Sequence, residues 1–322
     1  MLRMSVLTRR DLVAGVCGAT LAAACRPRND STVRFGFMTN LTHAPAIAGV
    51  ASGRIERALG MQVEGLSFRA GPRVLEALVG DAIDVGVSGP AAIVYTHARH
   101  PRLLRVLCGC ASGGASFVVG KASGIAGPHD LRGKTLATTQ IGTTQDISLR
   151  KYLANCGYES TERGGDVVVT ALDSMTILTE MRRGALDGAW LAEPWATRAV
   201  TDAQAVRLID ERDLWPNRMF PTAIVVARRD FMHRRPAAAQ ALAVAMADEV
   251  DRALRTPAET RDAARRELAR LLGKGLPQRL VEDAWRFIDF TPDPLAGALD
   301  TIAEDARALG LAPPTSCRTL FG

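Results

Sequence analysis

The residues best placed to do chemistry are suited to holding an anion. Gln140-Ile141-Gly142-Thr143-Thr144-Gln145-Asp146 follows the strand-like Lys134–Thr139 and opens a helix-like run from Ile147. A glycine, two hydroxyls and the unpaired N–H groups of a helical first turn suit an anionic headgroup, because that turn carries free donors and partial positive charge. Read alone, the same stretch is also a threonine N-cap serving its own helix. Two more turns carry comparable groups, Asn40-Leu41-Thr42-His43 and Ser88-Gly89-Pro90. Asn40 and Thr42 offer amide and hydroxyl hydrogen bonds, Ser88 its hydroxyl, and Gly89 leaves nearby backbone N–H groups accessible. A protonated His43 would pair with an anion, and Arg69 at a strand end would grip one bidentately. In Ala192-Glu193-Pro194-Trp195, where a strand yields to a helix, Glu193 would accept hydrogen bonds from an amine or from cleft donors and Trp195 would wall the pocket.

Signals of catalysis are thin. Ser148-Leu149-Arg150-Lys151 matches S-x-x-K, but no S-D-N or K-T-G accompanies it, and on a helix Ser148 and Lys151 are neighbours anyway. The five histidines show no metal-ligand spacing, and there is no H-E-x-x-H, G-x-S-x-G, G-x-G-x-x-G or Walker loop. The expectation is a protein that is not an enzyme, with no catalytic residue, metal or cofactor.

Positioning these turns takes strands that alternate with helices. Val33–Met38 reads as a strand, Ala44–Leu59 as a helix stopped by Gly60, and Met61–Arg69 as a strand. A helix from Pro72 to Gly80, a strand over Ile83–Val87 and a helix over Ala91–Ala98 follow. Such alternation implies a mostly parallel sheet covered by helices, with ligands gathering beyond the carboxyl ends of the strands. Leu178, Met181, Gly184, Leu186-Asp187 and Ala192-Glu193-Pro194 echo the order of Leu75, Leu78, Gly80, Ile83-Asp84 and Ser88-Gly89-Pro90, which argues for two similarly built lobes. Strands are expected at Leu103–Cys110, Phe117–Lys121, Val167–Leu172, Gly188–Leu191 and Val206–Ile209. Thr222–Ala227 would return the chain to the first lobe, and Pro236–Leu272 and Pro277–Phe287 have helical spacing.

The N-terminus reads as an address. Arg9-Arg10, a short apolar run from Leu12 to Ala24 and then Cys25 describe a twin-arginine export signal over 1–24, with Cys25 as a lipid-carrying first residue and 25–32 as a tether. The run is too short to span a bilayer. The other 290 or so residues suggest two lobes, 33–121 with 222–322 and 122–221. A net charge of +6, spread among many Arg, Asp and Glu, does not argue for nucleic acid. Cys108, Cys110, Cys156 and Cys317 lack C-x-x-C spacing and read as small apolar residues.

Gly36-Phe37-Met38-Thr39-Asn40 with Ala44-Pro45-Ala46, Gly80–Gly86, Asp130-Leu131-Arg132-Gly133-Lys134 and Ala192–Ala196 together resemble the nitrate/sulfonate/taurine-type substrate-binding proteins of ABC importers. The resemblance runs from about Val33 to Arg307. It implies an α/β fold of the periplasmic-binding-protein type II, with two α/β lobes, a ligand cleft and a two-stranded hinge near Lys121–Ala126 and Phe220–Thr222. It further implies a monomeric receptor in the periplasm or on the outer face of the cytoplasmic membrane. Such a receptor would meet the membrane only through a lipid anchor or uncleaved signal, and would bind a small-molecule ligand for an ABC permease. The loops at Asn40, Ser88, Thr143-Thr144 and Glu193 would line its cleft. An aliphatic sulfonate such as taurine is the first expectation, with nitrate or bicarbonate possible. A pyrimidine-like heterocycle stacked on Trp195, or a fold-sharing enzyme of pyrimidine-precursor metabolism, is the alternative.

Overall fold

The computed structural model describes residues 31–321. The export signal over 1–24, the lipid-carrying Cys25 and most of the tether therefore lie outside the described residues.

β1 (Thr32–Met38) turns Val33, Phe35 and Phe37 into the core by simple alternation. A single turn, Leu41–His43, leads to α1 (Ala44–Ala51) and α2 (Arg54–Leu59). One helix was expected there, but Gly53 takes φ +68°, a left-handed conformation that ends α1. β2 (Gln62–Phe68), α3 (Gly71–Val79), β3 (Val85–Ser88), α4 (Pro90–Arg99) and β4 (Leu104–Gly113) complete the first run. The second run holds β5 (Ala115–Gly120), β6 (Thr135–Thr138), α5 (Thr144–Asn155), β7 (Val168–Ala171), α6 (Ser174–Arg182), β8 (Gly188–Ala192), α7 (Trp195–Asp202) and β9 (Ala205–Asp210). The last third is β10 (Pro221–Arg228), α8 (Arg229–Arg234), α9 (Pro236–Arg255), α10 (Pro257–Leu272), α11 (Gln278–Trp285), β11 (Ile288–Phe290) and α12 (Ala296–Ala308).

The strands form two sheets, ordered β11-β4-β10-β3-β1-β2 and β7-β6-β8-β5-β9. Read as β2-β1-β3-β10-β4, the first sheet repeats the second strand for strand. β3 pairs parallel with β1, as β8 does with β6. Each sheet then takes an antiparallel strand between two others, β10 between β3 and β4 and β5 between β8 and β9, while β11, antiparallel to β4, is an extra edge strand of the first sheet with no counterpart in the second. The echo in the sequence corresponds to α3-β3-α4 in one lobe and α6-β8-α7 in the other.

The exchange of β5 and β10 between lobes relocates one expected boundary. β5 lies in the second sheet, so the chain crosses at Gly113-Gly114 rather than near Lys121–Ala126. Both glycines have positive φ, +67° and +71°. A Cβ on Gly114 would stand 2.9 Å from Thr42 Cγ2, so the reversal needs both the dihedral freedom and the space. The return crossing occupies residues 211–220, ahead of β10.

Each lobe has its own core. In the first, Phe35, Phe37, Val85 and Val225 meet Leu242 and Met246 from the inner face of α9. In the second, Phe117 stacks on Trp190 with centroids 5.5 Å apart. Burying each such large side chain contributes about 1.5–3 kcal/mol. A third cluster, Ala91, Ala115, Ile147, Phe220 and Ile302, joins the lobes along their seam.

Candidate functional site

The expected turns follow β1, β3, β6 and β8, each at a strand's carboxyl end, and two of them touch across the seam. The Ala91 N–H at the start of α4 donates to Thr144 Oγ1 at the start of α5, 3.3 Å away. Gly89 permits this approach, since a Cβ there would stand 2.9 Å from the same oxygen. Pro90 presets the first helical φ of α4 without spending a useful N–H. Two helix N-termini thus converge from opposite lobes.

Around α5 the hydrogen bonds differ from a simple threonine cap. Thr143 is the N-cap, but its hydroxyl donates to Gln140 O at 2.7 Å. Asp146, fully buried, accepts instead from the Gly142 N–H at 2.8 Å, from Thr138 Oγ1 at 3.1 Å and from Arg150 Nε at 3.0 Å. Gly142, at φ +74°, bends the loop back to reach it. Gln145 is half-buried beside this turn. An internal carboxylate therefore organises the loop, with Arg150 balancing its charge. The first-turn N–H groups of Thr144 and Gln145 have no backbone acceptor among the described residues.

The turn after β1 is built from within. Asn40 Oδ1 accepts from the Thr42 N–H at 3.1 Å and lies 3.2 Å from Thr42 Oγ1, so the Asn40 amide N–H groups are left to donate elsewhere. His43 corrects an expectation. It is fully buried and its Nδ1 accepts from the Met38 N–H at 3.3 Å, while desolvation pushes its pKa down to about 3. A neutral imidazole cannot serve as the cationic partner of an anion. Ser88 is buried and donates to Gly71 O at 3.3 Å, tying β3 to the start of α3. Arg69 is exposed beyond β2 and makes no hydrogen bond or ion pair among the described residues.

Glu193 is fully buried and already engaged. Its Oε2 accepts from the Thr197 N–H at 3.0 Å and its Oε1 from Arg207 Nη2 at 2.7 Å. Burial raises the carboxyl above its usual range, against the opposing pull of Arg207. The carboxylate thus caps α7 and anchors an arginine. Trp195 is half-buried with the Arg198 guanidinium 4.9 Å above its ring.

Arg207 and its surroundings escaped the sequence reading. Its guanidinium donates to Glu193, Thr197 Oγ1 and Ser116 Oγ, and lies 3.5 Å over the ring of Phe287 from the other lobe. Arg207 stands on β9, with β5 between it and β8, and Glu193 follows directly on the end of β8, a juxtaposition set by sheet register. The one available signal was that a buried glutamate demands a cationic partner.

A cavity of about 440 Å³ opens on the seam between α5, α12 and residues 211–216. At its floor Glu211 is fully buried, accepts from Trp190 Nε1 at 2.7 Å and from Ser148 Oγ, and burial pushes its carboxyl up to about 8. Lys151 instead reaches Asp305 of α12 at 2.7 Å. Ser148 and Lys151 therefore serve different partners, and their S-x-x-K spacing makes no nucleophile–base pair.

The model of the NMT1-like family matches residues 26–273. The taurine-binding periplasmic protein of Escherichia coli is 25% identical over 246 residues, 76% of this chain and 72% of that protein. Among solved structures, the aliphatic sulphonate binding protein SsuA of Escherichia coli superposes with a TM-score of 0.75 at 20% identity, covering 91% of this chain and 92% of that one. The nitrate-binding protein NrtA of Synechocystis PCC 6803 does so at 0.73 and 16%, covering 90% and 84%.

Proposed function

The chain belongs to the NMT1-like family, and from that premise we propose that it is the solute-binding receptor of an ABC importer. It works outside the cytoplasm, takes a small anion between its lobes and hands it to a membrane permease. Its own chemistry is limited to lobe closure about the two crossings, at Gly113-Gly114 and residues 211–220. The relatives named for taurine, sulphonate and nitrate support this reading, with an aliphatic sulfonate such as taurine as the first ligand.

The observation that carries the anion is the meeting of α4 and α5. Two helix N-termini that approach within hydrogen-bonding distance bring partial positive charges together, and a negative ligand between them relieves that repulsion. Thr144, the α5 N–H groups and the Asn40 amide would supply donors to a tetrahedral headgroup. Arg207, held by Glu193, would set the field from the side.

A thermal-shift screen of taurine, alkanesulfonates, nitrate, bicarbonate and pyrimidines tests this. At a hundredfold excess over Kd a true ligand stabilises by about 2.7 kcal/mol, a rise of several degrees in Tm. A sulfonate should give it without turnover. Silence from every compound would sink the ligand assignment, and product formation would move the protein to an enzyme class.

A further inference from the structure

Five carboxyl groups are buried among the described residues, and four of them are met by an arginine. Asp84 pairs with Arg34, Asp146 with Arg150, Glu193 with Arg207 and Glu249 with Arg54, all within 3.1 Å. Glu211 is the fifth, and no cation reaches it. Its partners, Trp190 Nε1 and Ser148 Oγ, are neutral, and Lys151, one turn along α5 from Ser148, is committed to Asp305 at 2.7 Å. A buried carboxylate without a counter-charge is costly. Left alone the group therefore keeps its proton, burial pushing it up to about 8 with a smaller push from Asp210.

This carboxyl sits at the floor of the seam cavity, not in packed core. Apolar and aromatic side chains form the walls, Ile147 and Tyr152 from α5, Leu214 and Trp215 from the return crossing and Ile302 from α12. The volume of about 440 Å³ suits a small ligand. Glu304 and Asp305 line it from α12, so apart from the paired Lys151 every charged group facing the cavity is acidic. The field that suits an anion at the meeting of α4 and α5 is reversed here. Of the residues in the four ligand turns only Thr144 reaches this cavity, and its Oγ1 is occupied by the Ala91 N–H.

We propose that the seam cavity is a second ligand site, for a small organic ammonium with an aromatic or aliphatic body, whose charged end meets Glu211 and whose body lies between α5, Trp215 and α12. A carboxylate has about four acceptor positions, so the bonds from Trp190 and Ser148 leave room for an ammonium N–H. An occupant touches both lobes and the return crossing at once. It favours the arrangement in which those surfaces face each other, which is also the one in which α4 and α5 meet. It therefore tightens binding of the anion, and the anion tightens binding of the ammonium by the same factor. That coupling rests on the reading that an anion binds between the lobes, whereas occupancy of the cavity does not.

The test is calorimetric titration of the full chain with phenethylamine and with 2-phenylethanol, its neutral counterpart of similar shape. Phenethylamine should bind saturably and 2-phenylethanol at least ~10-fold more weakly, as expected when a charge-assisted contact to a buried carboxylate is missing. At pH 7, in buffers of different ionisation enthalpy, phenethylamine should release a proton, because an ammonium beside Glu211 favours its carboxylate form. The other titratable groups around this carboxyl are Asp210, Lys151, Tyr152, Glu304 and Asp305. Glu211→Gln leaves all of them in place, and should abolish the proton release and weaken phenethylamine at least ~10-fold. Thr301→Trp, at an exposed position of α12 on the cavity wall, fills the space without changing a charge and should also block binding. No saturable binding, equal binding of 2-phenylethanol, no proton release, or undiminished binding by either variant overturns the site. Ethanesulfonate, which carries no ammonium, should bind at least ~5-fold more tightly with phenethylamine present. Mutual exclusion of the two compounds would overturn the proposal by making the cavity part of the cleft, and independent binding would overturn the coupling. Silence from ethanesulfonate would count against the receptor's ligand alone, since the phenethylamine titrations are read without it.

Discussion

Two buried titratable side chains give the protein a pH signature with a defined sign. His43 has a folded pKa of about 3, below the 6.5 of an exposed imidazole, so the unfolded chain binds the extra proton between those values. Stability from His43 is therefore complete above pH 6.5 and lost as pH falls toward 3. Glu211 has the opposite shift, to about 8 from 4.5, so its contribution is complete below 4.5 and lost as pH rises through 8. Where the two windows overlap they offset each other, and above pH 6.5 the glutamate acts alone, with a slope of at most about 1.4 kcal/mol per pH unit. Urea unfolding from pH 5 to 9 should show a decline above neutrality that Glu211→Gln removes, because a glutamine has no proton to lose, its oxygen still accepts from Trp190 Nε1, and the Ser148 hydroxyl can accept from its amide N–H. A decline that persists in the variant would assign it to another group. The threonines make a second residue-level prediction. Thr144→Val removes the acceptor of the Ala91 N–H while keeping the shape, and should weaken solute binding by roughly 1 kcal/mol, or about fivefold. Thr143→Ala, whose hydroxyl bonds only Gln140 O, should change it much less. Calorimetric titration of the two single variants separates them, and equal effects would contradict the assignment.

At the scale of elements, the sequence displayed those features that local chemistry dictates. Alternation fixed β1, glycine stops ended the helices, and the repeated helix–Gly–strand–Pro–helix unit pointed to two lobes, because each depends on residues close in the chain. The crossing at Gly113-Gly114 was not legible. An apolar run such as Phe117–Lys121 reads the same whichever sheet it joins, and only long-range pairing with β8 and β9 places β5. Arg207 was hidden for the same reason, and His43 was misread because burial, which decides its charge, is not a local property. The Gly114 geometry yields a prediction for this scale. Gly114→Ala forces a side chain into φ +71° and within 2.9 Å of Thr42 Cγ2 and 3.0 Å of Ile288 Cγ1. A left-handed residue costs about 1–2 kcal/mol before any clash, so the urea midpoint should fall by at least that equivalent. An unchanged midpoint would mean that the crossing tolerates another path.

Across the whole molecule, affinity depends on the solute contacts and on how often the lobes are together, because apparent Kd rises as the competent fraction falls. Several contacts bridge the seam away from the helix N-termini, and Lys151 to Asp305, from α5 to α12, is the one most cleanly removed. Lys151 is 40% exposed and Asp305 14%, so screening limits the pair to the range of partly exposed ion pairs, about 0.2–1 kcal/mol. Asp305→Asn keeps the volume and deletes the charge. It should weaken every solute by the same factor, up to about fivefold, because it shifts the lobe equilibrium without touching any ligand. Thr144→Val should instead alter the ranking of solutes, since that oxygen would face the headgroup. Titrating two sulfonates and one smaller anion into both variants reads the difference directly. A uniform loss in Asp305→Asn that shrinks as salt rises would identify the pair as a latch on closure. A solute-specific loss would place Asp305 inside the binding site and make the seam cavity part of the cleft.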